Sequence, residues 1–228
     1  VSRKLGVPGI PAAAEDCGTA REIAAAASLG APIHICHVST KGSVELIRDA
    51  KARGVRVTAE TCPHYLLLTD QALEFQDADY RMNPPLRTEE DRLALIEGLQ
   101  DGTLDAIATD HAPHSPEEKA DFFKAPNGSI GMETSLAATL TALQGKMSLS
   151  EILEKMSVNP ARILGIPGGT LREGANADVV LFDPEKEWVV DPEKLHGKSK
   201  NTPFKGRKLK GKVVLTIFRG RVVYDARC

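Results

Sequence analysis

Apolar residues in the first two thirds of the chain follow two alternating patterns. Short runs rich in β-branched residues predict strands at 33–38, 55–59 and 104–109. Between these runs, apolar residues recur every three or four positions and predict helices at 19–29, 41–54 and 88–100. Strands that alternate with helices of about 12 residues indicate a parallel sheet. The pattern leaves open whether this sheet is open or closed as a barrel.

Two of the predicted helices carry recognisable start signals. Ser39 or Thr40 can cap the helix at 41–54, and Thr88 can cap the helix that follows it. After the last predicted strand, residues 111–131 contain few aliphatic side chains. A connection of that length is expected to cover a site.

The pattern changes in the last third of the chain. Helices are predicted at 132–144 and 148–156, with a short further helix beginning at the Asn159-Pro160 pair. From Gly168 onward, the runs ADVVLFD, EWVVD, VVLTIFRG and RVVYD predict short antiparallel strands separated by turn residues. We therefore predict an α/β unit over residues 1–167 and a small β domain over residues 168–228.

Charge and cysteine content narrow the function classes. The chain has 29 Lys and Arg against 31 Asp and Glu, a net charge of -2, which favours a small-molecule ligand over nucleic acid or a membrane surface. The basic run at 205–212 is interpreted as a solvated strand edge. Four widely spaced cysteines without a CxxC pair predict reduced thiols and a cytoplasmic location. The first residues lack an initiator Met and contain the loop-like GVPGIP, so a fragment of a longer chain is expected.

Candidate chemistry lies at the ends of the predicted strands. His37 ends the run IHICHV and Asp110 follows LDAIAT, where parallel α/β folds place their active sites. Imidazole and carboxylate groups there are typical of metal binding or acid–base catalysis. If the first run is a regular strand, His34 and His37 point to opposite faces, so only one of them is expected to be functional. His34 is interpreted as a packed, hydrogen-bonded residue.

Three other polar side chains lie in the neighbouring predicted loops. Asn83 precedes two prolines in RMNPPLRT and would be displayed from a stiff loop, although it can equally nucleate a turn. His114 closely follows Asp110, which strengthens the case for a site there. His64 in ETCPH is interpreted as structural and is left out of the metal set.

Seven segments together carry a resemblance to a known family. HICHVST, AETCPHYLLLT, MNPPLR, ATDHAPH, KAPNGSIGMET, ADVVLFDP and NTPFKGRKLKGKV occur in this order nearly from end to end. In that combination the sequence resembles the long bacterial dihydroorotases of the amidohydrolase superfamily. The resemblance implies the C-terminal part of a (β/α)8 TIM-type barrel, strands six to eight, followed by a small antiparallel β domain.

The resemblance also implies an activity and a set of roles. The expected reaction is the reversible, zinc-dependent cyclisation of N-carbamoyl-L-aspartate to L-dihydroorotate in pyrimidine biosynthesis, with one or two metal ions. His37 and Asp110 would be metal ligands, and Asp110 would also shuttle the proton. Asn83 and His114 would contact the substrate. Asn127 and Gly128 match a loop whose backbone touches substrate, although many relatives have Phe in place of Asn127.

The remaining metal ligands of that family are expected outside this chain. The resemblance therefore implies the N-terminal half of the same protein as a partner, and little activity for the chain alone. A homodimer and an association with aspartate transcarbamoylase are further partners it suggests. Two alternatives stay open: a hydantoinase or allantoinase type of cyclic amidohydrolase, and an inactive scaffold subunit for aspartate transcarbamoylase.

Overall fold

Three short parallel strands form the centre of the first part of the molecule. The structure is a computed structural model that describes residues 1–227. The strands β1 (Ile33–Ile35), β2 (Val57–Thr61) and β3 (Ala106–Ile107) lie in that order, with β2 paired in parallel to both neighbours. In β2 the residues at 57, 59 and 61 are buried, whereas Thr58 and Glu60 are half-buried on the opposite face. Polar groups therefore collect on one face of this sheet.

Helices cover the apolar face and connect the strands. The first five helices are α1 (Ser2–Leu5), α2 (Ala12–Leu29), α3 (Lys41–Ala52), α4 (Pro63–Leu67) and α5 (Glu89–Gln100). The start of α3 is capped by Thr40, whose side chain accepts a hydrogen bond from the Ser43 N–H, as predicted. Thr88 and Asp91 form a capping box at the start of α5. Local capping chemistry thus sets where both connecting helices begin.

The connection from β3 to the next helix contains little regular structure. Two short 3-10 turns, Asp70–Phe75 and Ala78–Tyr80, precede it earlier in the chain. Residues 111–131 form a loop whose ends are joined by a single bridge between His111 and Ser129. This agrees with the long loop predicted there.

The helices after the loop differ in detail from the prediction. They are α6 (Ser135–Leu143), α7 (Leu149–Leu153) and α8 (Asn159–Leu164), and a π-helical turn, Glu154–Val158, joins the last two. The short helix predicted to begin at the Asn159-Pro160 pair is confirmed as α8, which follows the π-helical turn directly. Pro160 has no backbone N–H, but it lies in the first turn of α8, where that group is not needed for a hydrogen bond within the helix. The wider π turn before it also lets the helical path continue.

The second sheet contains three antiparallel strands, not the four that the sequence suggested. They are β4 (Val179–Val189), β5 (Lys208–Phe218) and β6 (Arg221–Asp225), in that order. The runs ADVVLFD and EWVVD form one strand, β4, which passes through Pro184 because a register shift between Asp183 and Glu187 accommodates it at the sheet edge.

The basic run at 205–212 was also misplaced. Most of it lies in β5, the central strand of this sheet, and not at an edge. Lys208 and Lys210 pair with Glu187 and Glu185, and Lys212 lies over the Trp188 ring. Neighbouring side chains of the sheet therefore account for these charges.

One hydrophobic core extends from the parallel strands to the second sheet. Its most completely buried large side chains include Ile47, Leu66, Leu95, Leu99 and Leu143. The same core includes Val190, Phe204 and Leu209 from the last third of the chain. The division at residues 167 and 168 stays a prediction.

Two further observations concern membrane-spanning helices and cysteine pairing. No helix within residues 1–227 is both long and apolar enough to cross a membrane. Cys17, Cys36 and Cys62 are free thiols, and the fourth cysteine, Cys228, lies outside the described residues.

Candidate active site at the ends of the parallel strands

His37 leaves the regular strand geometry just before it reaches the site. Strand β1 ends at Ile35, and His37 adopts a left-handed backbone with φ 57. Its Nδ1 lies 3.2 Å from Oε1 of Glu60, while Nε2 of His34 lies 3.3 Å from Oε2 of the same carboxylate. The prediction that the two histidines cannot share a site is therefore wrong, because strict alternation stops two residues before His37.

His34 is hydrogen-bonded, as the sequence suggested. Its Nδ1 lies 2.8 Å from Oγ1 of Thr58 on the neighbouring strand. Parallel register places His34 directly opposite Thr58, so both side chains extend from the same face of the sheet. His34 therefore belongs to the polar face on which the site is built.

Asp110 stands opposite His37 across the sheet end. It follows β3, has φ 45, and places Oδ1 at 3.6 Å from Nε2 of His37. Left-handed backbone is uncommon for residues other than glycine and is often found at functional sites. The two residues singled out from the sequence thus lie side by side.

Charge in the site is set by Glu60, a residue that the sequence reasoning did not select. Burial alone would raise the pKa of the Glu60 carboxyl, but hydrogen bonds from His34 and His37 outweigh burial and lower it to about 2. The hydrogen bond to Glu60 raises the pKa of His37 against the opposing effect of burial, and Asp110 raises it further. The alternation of side chains along β2 was the available signal for Glu60. Glu60 lies two residues after Thr58, so its carboxylate extends from the same face of the sheet as His34.

His64 is enclosed behind the site. The residue is 3% exposed, and its Nε2 is buried without a hydrogen-bond partner. Burial, with a smaller effect of nearby His37, lowers the pKa of His64 to about 3. The ring is therefore neutral and packs edge-on against Tyr65, in keeping with the structural role expected of it.

The loop that carries Asn83 is held from both sides. Met82 and Leu86 are buried, whereas Asn83 between them is exposed. The Tyr65 hydroxyl donates a 2.6 Å hydrogen bond to the carbonyl of Pro84. Asn83 is consequently displayed from an anchored loop, as the paired prolines suggested.

The remaining candidates, His114, Asn127 and Gly128, come together in the 111–131 loop. Nε2 of His114 lies 3.0 Å from the carbonyl oxygen of Asn127. The N–H of Gly128 donates to the carbonyl of Arg81, two residues before Asn83, at 2.8 Å. This contact brings the loop against the Asn83 segment.

Asn201 holds this loop and was not selected as a site residue from the sequence. Its Nδ2 donates to the carbonyls of Ala112 and Gly128, and its Oδ1 accepts from the N–H of His114. Both backbone groups of Gly128 are thus used within the chain. Asn201 lies in the NTPF segment, and its distance along the sequence hid its role.

The donor set of His37 and Asp110 fits a bound cation. Two ligands on one tetrahedral zinc ion, with bonds of about 2.1 Å, stand roughly 3.4 Å apart, close to the 3.6 Å between Nε2 and Oδ1. Imidazole nitrogen and carboxylate oxygen are both common zinc ligands. A second group, His34, Cys36 and Glu60, also has potential ligand atoms within 4.8 Å of one another, but both oxygens of Glu60 already meet imidazole nitrogens.

A strand-end His–Asp pair on a parallel α/β sheet is typical of metal-dependent hydrolases, and comparison with known proteins identifies the class. The model of the amidohydrolase family matches residues 4–223, and the chain belongs to that family.

Curated relatives narrow the family further. The chain is 55% identical over 227 residues to the dihydroorotase of Syntrophus aciditrophicus (strain SB) and 54% identical over 228 residues to that of Geobacter sp. (strain M21). Each alignment covers 99% of this chain but 53% and 54% of the relatives. The resemblance to dihydroorotases is confirmed, and the chain spans about half the length of the curated relatives it matches.

Solved structures agree on the fold. A dihydropyrimidinase from Brevibacillus agri NCHU1002 superimposes with a TM-score of 0.90 at 33% identity, and an L-hydantoinase from Arthrobacter aurescens with 0.89 at 33%. In each case 95% of this chain corresponds to 50% of the other. The predicted fold class is confirmed: the C-terminal part of an amidohydrolase TIM-type barrel with a small antiparallel sheet.

Proposed function

We propose that this chain supplies the His37–Asp110 side of a dihydroorotase active site. The proposed reaction is the reversible interconversion of N-carbamoyl-L-aspartate and L-dihydroorotate. The approach of Nε2 of His37 and Oδ1 of Asp110 at the ends of parallel strands carries the proposal. The dihydroorotase relatives support the choice of substrate.

We propose zinc, as one or two ions, for the metal of this site. Nε2 of His37 and Oδ1 of Asp110 would hold it, and its remaining ligands would come from outside this chain. When bound, such an ion lowers the pKa of water and polarises a carbonyl oxygen.

Asp110 is the proposed proton carrier. Its carboxylate would accept a proton from the attacking water and pass it to the ring nitrogen as the amide bond breaks. Ring closure follows the same path in reverse. Asn83 and His114 would hold the substrate from the two adjoining loops, with Asn127 and Gly128 shaping the loop that approaches it.

The chain spans half the length of its relatives, so we propose that it acts together with a segment that completes the barrel. Three parallel strands in this chain cannot enclose a site by themselves. Intact mass and zinc content of the purified protein test this point. A companion segment with one to two bound zinc ions would support it, whereas a lone chain that binds no zinc would contradict it.

Substrate turnover in that assembly tests the activity. Dihydroorotate opening and N-carbamoyl-aspartate closure should both be measurable, and Asp110→Asn should lower the rate by about 10²- to 10⁴-fold, the usual contribution of a general acid–base. Lys124→Gln, at an exposed position of the 111–131 loop, serves as the control and should leave the rate unchanged. Full activity of the Asp110→Asn protein would contradict the assignment.

A second candidate, a hydantoinase or dihydropyrimidinase type of cyclic amide hydrolase, is favoured by the structural neighbours. In that case His37 and Asp110 would serve the same roles toward a different ring. Turnover of hydantoin or dihydrouracil without turnover of dihydroorotate would establish this alternative. We also propose a cytoplasmic location, supported by the free thiols Cys17, Cys36 and Cys62.

A further inference from the structure

Thr58, His34, Glu60 and His37 form a row of close polar contacts that ends at a proposed metal ligand, and Sγ of Cys62 also lies 3.6 Å from Nδ1 of His37. Oγ1 of Thr58 meets Nδ1 of His34 at 2.8 Å, Nε2 of His34 meets Glu60 Oε2 at 3.3 Å, and Glu60 Oε1 meets Nδ1 of His37 at 3.2 Å. The row ends at Nε2 of His37, which faces Asp110. His34 and Glu60 each have a row neighbour on either side, and Oγ1 of Thr58 also lies 3.4 Å from the Ile33 carbonyl, so the direction of each hydrogen bond constrains the next.

The chemistry of the groups decides those directions. An ionised carboxylate can only accept hydrogen bonds, so both imidazole nitrogens that face Glu60 must be donors. A neutral His34 with its proton on Nε2 has an acceptor at Nδ1, which suits the hydroxyl of Thr58. A neutral His37 with its proton on Nδ1 keeps the lone pair of Nε2 free. Only this arrangement leaves Nε2 able to bind a metal ion.

We propose that Glu60 is a positioning residue for His37. It fixes the ring orientation and the Nδ1–H tautomer, and so presents Nε2 beside Asp110 as a metal ligand. His34 and Thr58 hold Glu60 in turn from the adjoining strand. The inference rests on the proposed metal-dependent function, and it adds to that function a residue that binds neither metal nor substrate.

The same residues offer an alternative role for Glu60, as a direct ligand together with His34 and Cys36. Against that role, each Glu60 oxygen already has an imidazole partner, and a metal ion between Glu60 and His34 would displace the contact between them. The geometry therefore favours positioning over direct binding.

The first test is the tautomer of His37 in the metal-free protein. Long-range ¹H–¹⁵N NMR spectra, recorded at alkaline pH, should show the proton on Nδ1. In Glu60→Gln the His37 signal should shift toward the Nε2–H form or a mixture, because the amide can donate as well as accept. A wild-type His37 with its proton on Nε2 would overturn the proposal, whether or not any variant folds.

The second test is zinc affinity, measured in the assembled protein by competition with a chromophoric chelator. Loss of such a supporting carboxylate should weaken binding by about 10- to 100-fold, and His34→Gln should weaken it less. Asp105→Asn is the matched control: it removes another half-buried carboxylate, which binds Lys51 and the Ala59 N–H, and should not change the affinity. Unchanged affinity in Glu60→Gln would overturn the proposal.

Cys36→Ser separates positioning from direct binding. The substitution should leave zinc affinity unchanged if Glu60 only orients His37, and a loss comparable to that of Glu60→Gln would establish the direct site instead. The tautomer and affinity readouts do not depend on the substrate. Absence of dihydroorotate turnover alongside the expected tautomer and affinity would therefore refute the proposed reaction and leave this inference standing.

Discussion

At the scale of single residues, two backbone conformations decide the site. His37 and Asp110 both have positive φ values, 57 and 45, and both lie just beyond the ends of parallel strands. Such conformations cost about 1–3 kcal/mol each and persist where the surroundings enforce them. The 3.2 Å contact between Nδ1 of His37 and the Glu60 carboxylate is one such restraint. The turn at His37 brings its ring to the carboxylate that His34 also contacts.

His64 makes the stability of the chain depend on pH. Its folded-state pKa is about 3, below the ordinary value of 6.5, so between these values the unfolded state binds more protons. The free energy of unfolding should therefore rise with pH through this window and level off above it. At about pH 5 the loss from this one group is on the order of 2 kcal/mol relative to neutral pH.

Urea unfolding at acidic and neutral pH measures this effect. His64→Gln should remove that part of the pH dependence, because the amide does not titrate. His196→Gln, at an exposed histidine paired with Glu133, should keep it. The assignment fails if His64→Gln retains the full pH dependence of the wild-type chain.

Gly128 is a position where a side chain cannot fit. Its φ is 130, and an added Cβ would lie 2.5 Å from Cβ of Ala112 and 3.1 Å from Nε2 of His114. Gly128→Ala should lower the free energy of unfolding by about 1–3 kcal/mol and accelerate hydrogen exchange in the 111–131 loop. Gly102 also has a positive φ, 82, but with open space around it, so Gly102→Ala should cost less. Equal losses in the two variants would show that the contacts around Gly128 are unimportant.

At the scale of elements, a carboxylate from α2 orders the segment that follows His37. Glu15 accepts hydrogen bonds from the Ser39 N–H at 2.8 Å and the Thr40 N–H at 3.1 Å, and from both of their hydroxyls. Arg87, in the loop that carries Asn83, approaches the same carboxylate at 3.4 Å. One buried charge pair thus joins α2, the start of α3 and the proline-rich loop.

Removal of this carboxylate should be costly. Glu15→Ala leaves Arg87 without its carboxylate partner and the Ser39 and Thr40 N–H groups unsatisfied, for an expected loss of about 3 kcal/mol in the free energy of unfolding. Glu22→Ala in the same helix removes an exposed carboxylate paired with the adjacent Arg21, and should change stability by less than about 0.5 kcal/mol. Urea unfolding of both variants measures the two losses in the free energy of unfolding. Similar small losses would show that Glu15 does not order the segment.

At the scale of the whole molecule, the last third of the chain supports the site from behind. Asn201 bonds to Ala112 and Gly128, which lie 89 and 73 positions away in sequence. Its carbonyl also accepts from the Ile130 N–H. Phe204 and Leu209 belong to the same hydrophobic core as residues of the parallel strands. The loop proposed to meet substrate therefore depends on residues near the second sheet.

Loss of the Asn201 side chain should loosen the loop. Asn201→Ala leaves two carbonyls and the His114 N–H without their partner, and should lower the free energy of unfolding by about 1–3 kcal/mol. Hydrogen exchange at the N–H groups of Ala112 and Ile130 should become faster. Asn176→Ala, at an exposed position, is the control. A general loss of stability without faster exchange in the loop would contradict this specific role.

The sequence by itself determined the local features of this protein. Periodicity and capping chemistry predicted the parallel strand–helix units, the starts of α3 and α5, and the strand-end positions of His37 and Asp110. These features depend on neighbours within a few residues, so their signals are contained in short segments.

Only the tertiary structure decided which distant groups meet. The left-handed turn at His37 brought both histidines onto Glu60, and long-range packing placed Asn201 on the 111–131 loop. Pairing with β5 similarly joins the two runs on either side of Pro184 into the single strand β4. Contacts of this kind depend on single backbone angles and on the packing of segments far apart in sequence, which no local pattern of polar and apolar residues records.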